Sequence, residues 1–276
     1  MTAPTNALAP NKLFAFLKRG FLHAASYRLN FLGNYFGSLL VIIFFAVLAQ
    51  FYGQARPAAL GEYNGDYFTF LLIGGVFARY LSLGLRQFGR ELEHELAAGT
   101  IEPAMVTATP PGLALLGPAL WTLVEGTLLV VAQLIIGSVF FGADFSRANW
   151  PAALALGALT WLALNSWGVL SAAFVLVFKR ADPLSWLADV TLYMFAGVYF
   201  PITIMPSVLQ AIAYAIPLSH ALEGLRFALM RGDSLAMLWR YVVILIGFNV
   251  VLVPLSLWAL NKAIDHVKRT GSLGHY

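Results

Sequence analysis

Cysteine is missing from all 276 residues, which removes disulfide frameworks, thiolate zinc sites, iron–sulfur ligation and cysteine nucleophiles together. Charge is nearly as scarce. Asp, Glu, Lys and Arg make up 11% of the chain, against about 25% in a soluble domain. The charges that exist gather in short blocks beside long apolar runs, the pattern a bilayer imposes. His23, His94, His220, His266 and His275 are dispersed without an i, i+4 pair or a ligand cluster, so no metal site is expected. A Gly-x-x-x-x-Gly-Lys-Ser/Thr run is absent, and with it the usual phosphate-cradling loop. A membrane enzyme would want His and acidic residues clustered as a catalytic site, and no catalytic site is expected. No repeat or low-complexity tract stands out, and no cleavable leader is expected, because the first apolar run begins only near residue 31.

What is present is apolar length. Hydrophobic residues supply 60% of the chain, and the expected fold is all-α and membrane-integral, a single transmembrane domain. Six spans are expected, at 31–52, 66–87, 111–141, 150–178, 184–200 and 238–261. Pro201, Pro206 and Pro217 break the stretch 201–231 into apolar pieces too short to cross, which predicts a re-entrant helical segment on the extracytoplasmic side, carrying Glu223 and Arg226. The 17 Lys and Arg against 13 Asp and Glu reflect topology rather than nucleic-acid binding, because the basic residues flank spans. Placing both termini in the cytoplasm gives that side Lys12, Lys18, Arg19, Arg28, Arg86, Arg90, Lys179, Arg180, Lys262, Lys268 and Arg269, and leaves the other side Arg56, Arg147, Arg226, Arg231 and Arg240. A multi-pass protein of the cytoplasmic membrane is the expectation.

Ahead of the first span, 11–28 reads as an amphipathic helix lying along the cytoplasmic interface, with Leu13, Phe14, Leu17, Phe21, Ala24 and Ala25 on one arc and membrane lipids as its contacts. The alternative is an amphipathic helix packed on another subunit. Between spans two and three, 88–99 is the densest charge cluster, with Arg90, Glu91, Glu93, His94 and Glu95 around a stripe of Phe88, Leu92 and Leu96 spaced by four. It reads as a short separate helix closed by Gly99, either a knob that docks into a partner or a solvated connector. Arg79, Glu125 and Asp189 fall inside spans, where a charge costs about 2.5–3.5 kcal/mol on insertion scales. Arg79 and Asp189 lie at matching depth and are a candidate pair beside a transport path. The same pair also reads as a helix-pinning bridge. Glu125 is expected near the midplane without an obvious partner, as a protonated core residue or a cargo contact. Phe44, Tyr193 and Tyr199 are either interfacial anchors or rings that grip cargo.

The interfacial helix, the charged loop running from Glu91 to Pro110 with its Ala98-Gly99-Thr100-Ile101-Glu102 stretch and Thr109-Pro110, and the late stretch from Gly197-Val198-Tyr199-Phe200-Pro201 to Pro217-Leu218-Ser219-His220-Ala221-Leu222-Glu223-Gly224-Leu225-Arg226 come in an order that resembles the type-2 exporter permeases of ABC transporters. The resemblance covers most of the chain. It implies two permease copies, a homodimer by default, working with two copies of a separate ATPase subunit that holds ATP and Mg. It also implies that 88–99 is the coupling helix and that this chain carries no nucleotide site and is no enzyme. Cargo would move outward, and the family's breadth leaves it as an amphiphile such as a drug, lipid or lipid-linked glycan. The competing reading is a gradient-driven secondary transporter or channel. The Pro-broken segment occurs once rather than in two matching halves, which gives that reading little support.

Overall fold

The computed structural model of the chain describes residues 9–53, 61, 63, 66–100, 111–178 and 193–270. All regular structure among them is helical, with no strand. Helix α1 (Ala9–Ser26) precedes α2 (Arg28–Gly53), α3 (Tyr67–Ala97), α4 (Pro111–Leu116), α5 (Leu120–Phe141) and α6 (Trp150–Phe178). Two short helices, α7 (Ser207–Tyr214) and α8 (Pro217–Arg226), and a long last one, α9 (Trp239–Thr270), follow among the described residues. Four stretches are long and apolar enough to cross a membrane: Tyr67–Ala97, Pro111–Phe141, Trp150–Phe178 and Trp239–Val267. Within α2 the apolar part is the shorter Tyr35–Phe51. Most of the expected fifth span, 184–200, lies outside the described residues, of which Tyr193, Met194 and Phe195 are helical.

Local chemistry sets the element ends. Asp66 caps α3, its Oδ1 accepting from the Phe68 and Thr69 amides at 3.0 and 3.3 Å, which satisfies two of the donors a helix start leaves open. The other end closes when the Ala98 amide donates to the His94 carbonyl at 2.9 Å and Gly99 takes φ 66°, a conformation glycine adopts without a Cβ clash. In 201–231, Pro201 and Pro206 precede a short 3-10 turn and α7, while Pro217 opens α8. At eight and ten residues, α7 and α8 are about 12 and 15 Å long, half of what a span needs.

Helix α3 is the packing axis. One side meets α2 and α5 through Ile42, Phe45, Leu71, Leu72, Val76 and Leu134. A second meets α6 and α8 through Phe70, Leu81, Leu85, Leu156 and Leu222. The third, nearer its C-terminus, sets Phe88, Leu92 and Leu96 against Val169 and Ala172 of α6 and Leu260 and Ala263 of α9. Where α3 and α6 cross, a Cβ on Gly168 would run into the Gly84 carbonyl, the close backbone approach that small residues allow between membrane helices. Beside that crossing Gln87 Nε2 donates to Asn165 Oδ1 at 3.0 Å, and Asn249 Nδ2 of α9 donates to the Leu159 carbonyl of α6 at 2.9 Å. The outward faces of α2, α5 and α9 are apolar instead: Phe44, Leu128, Val131, Ile135, Val250, Val251 and Trp258 are all exposed. So large an uncovered apolar surface fits lipid, not water.

The two ends differ. At one, Asp144, Asn149, Tyr199 and the chain after α8 meet the start of α3: the Tyr67 hydroxyl donates to the Tyr199 carbonyl at 3.2 Å and the Asn149 amide to the Ala228 carbonyl at 2.9 Å. At the other, α1, α4, the start of α5 and the C-terminal end of α3 come together. This second end holds the candidate site.

Candidate functional site

The charged stretch 88–99 does not form a helix of its own. It is the last third of α3, which runs unbroken for 31 residues, about 46 Å at 1.5 Å per residue. Gly89 does not interrupt it, because neighbours on both sides are held: Phe88, Leu92 and Leu96 are buried in the chain's own core. Leu92 and Leu96, part of the stretch read either as a docking knob or as a solvated connector, face the chain's own α6 and α9. Glu95 also turns inward. It is 7% exposed, pairs with Arg19 of α1 at 2.5 Å, and its other carboxylate oxygen accepts from the Thr100 hydroxyl. Arg90, His94 and residues 97–100 are the exposed part of this end, with Glu91 and Glu93 half-buried.

Helix α1 lies against this end of the bundle rather than apart from it. A Cβ on Gly20 would collide with the Trp121 side chain, and Phe21 meets the Trp121 ring edge-on at 5.3 Å between centroids. Phe14 and Leu22 remain exposed as an apolar face for the lipid boundary. Between α1, α3 and α5 lies a cavity of about 520 Å³ lined by Arg19, His23, Glu91, His94, Glu95 and Glu125, among others. Burial pushes the Glu91 carboxyl above its ordinary range, the nearby Glu95 adds to this, and His94 and Arg90 oppose it. Glu91 lies in the last third of α3, in its charged part.

A second cavity, of about 510 Å³, shares Thr122 and Glu125 with the first and reaches deeper. Its wall on α3 carries Arg79, Arg86 and Arg90, and it also includes Ser82, Gly126, Leu129 and Tyr193. The arginine spacings of seven and four residues total eleven, three helical turns, so the three lie along one line of the helix, about 16 Å long. Arg79 Nη1 donates to Ser38 Oγ of α2 at 3.1 Å. Asp189, its expected partner, lies outside the described residues. Glu125, expected near the midplane without an obvious partner, borders this cavity together with all three arginines. The sequence signal was available: 79, 86 and 90 share a helix face, but two of them read most simply as boundary charges.

The remaining candidates divide. Tyr193 lines the deeper cavity, whereas Phe44 points outward and Tyr199, with its ring 6.4 Å from that of Phe45, sits at the opposite end. Pro201, Pro206 and Pro217 shape the chain around α7 and α8 and line neither cavity. Glu223 is half-buried and hydrogen-bonded with the Tyr241 hydroxyl. Arg226 is 2% exposed and donates to the carbonyls of Gly197 at 2.7 Å, Val198 at 2.8 Å and Phe70 at 3.3 Å. Its guanidinium lies 3.4 Å from the Phe70 ring centroid. Gly197, at φ 73°, turns the chain so that both loop carbonyls face Arg226. Arg226 thus ties the chain before Pro201 to α3, a role the sequence did not suggest. No group of three or more His, Asp or Glu suited to a metal occurs among the described residues.

No protein-family profile matches the chain. A nodulation protein J of Sinorhizobium fredii (strain NBRC 101917 / NGR234) is similar to it, 23% identical over 185 residues, which cover 64% of this chain and 68% of the relative.

Proposed function

We propose that this chain is the permease subunit of an ATP-driven exporter of the type-2 ABC kind, taking an amphiphile from the cytoplasmic side and moving it outward. ATP and Mg belong to a separate ATPase chain, in two copies, and the permease works as a homodimer. The similarity to nodulation protein J supports an ABC exporter permease in general terms. The distribution of Lys and Arg supports assigning the end with α1 and the α3 tip to the cytoplasm.

The observation that carries this reading is the continuity of α3. One helix joins an exposed tip at 97–100 to the arginine-lined wall of the deeper cavity. An α-helix is stiff along its axis, so a push on the tip shifts Arg90, Arg86 and Arg79 together. The packing of Phe88, Leu92 and Leu96 on α6 and α9 passes the same push to those helices. In this scheme the partner engages Arg90, His94 and the 97–100 turn, while Glu95 holds α1 in place.

The test is association. The chain, purified with the ATPase subunit encoded beside it, is expected to co-elute, and Arg90→Glu with His94→Glu is expected to abolish co-elution without disturbing the fold. Failure of the wild-type chain to bind any such subunit, with or without nucleotide, contradicts the proposal and favours the gradient-driven transporter.

A further inference from the structure

We infer that the arginine line of α3 is a binding site for the anionic, phosphate-like head of an amphiphile. For its transport role the inference rests on the exporter reading; for binding it stands alone.

Three guanidinium groups on one helix face border a single cavity, and among the described residues that line it the carboxylate is Glu125. Arg226 shows what a purely structural arginine looks like in this protein: it is buried and engages three backbone carbonyls. The cavity arginines differ from it in exposure. Arg79 and Arg86 are partly accessible and Arg90 is exposed, and all three border open volume. Guanidinium forks match the oxygens of a phosphate-like group and bind them more strongly than a neutral donor would. A line about 16 Å long exceeds one headgroup, so the site offers successive positions, from Arg90 at the exposed end to Arg79 at depth. Leu83 and Leu129, which also line the cavity, suit the start of an alkyl chain.

Glu125 then has a defined role. Facing the cavity from α5, it weakens the hold on an anion and keeps the site shallow enough to release what it binds. Passage through a site requires binding strong enough to enter and weak enough to leave.

The experiment uses the full chain alone in nanodiscs of zwitterionic phosphatidylcholine, with binding measured above empty nanodiscs. Radiolabelled dodecyl phosphate is the probe, and dodecyl maltoside and dodecyltrimethylammonium are the controls. Saturable binding of dodecyl phosphate only is expected. Arg79→Gln should weaken it about tenfold, the triple Arg→Gln variant should remove it, and the triple Arg→Lys variant, which keeps the charge but not the planar fork, should retain only part of it. Glu125→Gln should tighten it about threefold. If the triple Gln variant misfolds, Arg90→Gln, at an exposed position, and Glu125→Gln carry the test. Equal binding of dodecyl maltoside, or dodecyl phosphate affinity indifferent to these substitutions, overturns the inference. With the ATPase subunit added, loss of bound probe on ATP addition identifies cargo, and retention identifies a resident anionic lipid. Absence of any ATPase association leaves the binding result intact and removes only the exporter reading.

Discussion

Replacing Arg226 with Met removes the latch between α3 and the chain before Pro201 while keeping much of the side-chain volume. The carbonyls of Gly197 and Val198, in non-helical chain, lose the donor that now reaches them at 2.7 and 2.8 Å. Each stranded, buried carbonyl costs about 1–3 kcal/mol. The Phe70 carbonyl, 3.3 Å from Nη2, lies within α3 and keeps its helical donor, so its loss counts for less. The guanidinium resting 3.4 Å from the Phe70 ring centroid adds about 2 kcal/mol at a desolvated site. Against these, Met escapes the cost of keeping a charge out of water. The net loss is expected to be about 3–5 kcal/mol. Unfolding in detergent micelles by increasing SDS, followed by tryptophan fluorescence, measures it. Arg226→Lys should recover part of the loss, because an ammonium restores charge but cannot span both carbonyls with a planar fork. An Arg226→Met protein within about 0.5 kcal/mol of wild type, well below the cost of one stranded carbonyl, would refute the latch.

Gly168→Ala drives a Cβ into the Gly84 carbonyl and to 2.9 Å from Phe88, and a backbone atom cannot move aside alone; a loss of about 1–3 kcal/mol is expected. Gly157→Ala in the same helix meets nothing within 4 Å and should be neutral or stabilising by up to about 1 kcal/mol; the same SDS titration compares the two. Arg19→Ala should cost under about 1 kcal/mol, because its side chain is 57% exposed and its ion pair is screened. Glu95→Ala should cost more, since the Thr100 contact is lost as well, and hydrogen exchange of the α1 amides should rise in both. Burial raises the Glu91 carboxyl in the folded state, so folding favours its protonated form. Its contribution to stability therefore falls as pH rises from the ordinary carboxylate range through the raised value, then stays low. Glu91→Gln should flatten that part of the stability–pH curve, and an unchanged curve would contradict the assignment.

Much of the architecture was readable because lipid imposes length. The apolar runs at 150–178 and 111–141 coincide with α6 and the α4–α5 stretch, and the prolines at 201, 206 and 217 mark short helices. Cross-helix matters were harder. Phe88, Leu92 and Leu96 show helical spacing, but spacing alone does not say whether a stripe faces a partner or the chain's own α6 and α9. Gly99 was legible as a stop, whereas the absence of a break at Gly89 depends on packing around it. The cavity joining Arg79 to Glu125 brings together residues far apart in sequence, and no local periodicity signals it. Arg226 looked like an ordinary charge in a polar run. Its three carbonyl partners lie 28, 29 and 156 residues away.

The most direct test of the account as a whole is export from vesicles. Inside-out proteoliposomes holding this chain and its ATPase subunit are loaded on the outer face with a fluorescent alkyl phosphate, and its movement to the lumen is followed. The account predicts uptake that requires ATP and Mg, persists with a protonophore and falls in the Arg79→Gln variant. Uptake driven by an imposed ion gradient without ATP, and indifferent to the ATPase subunit, would contradict it.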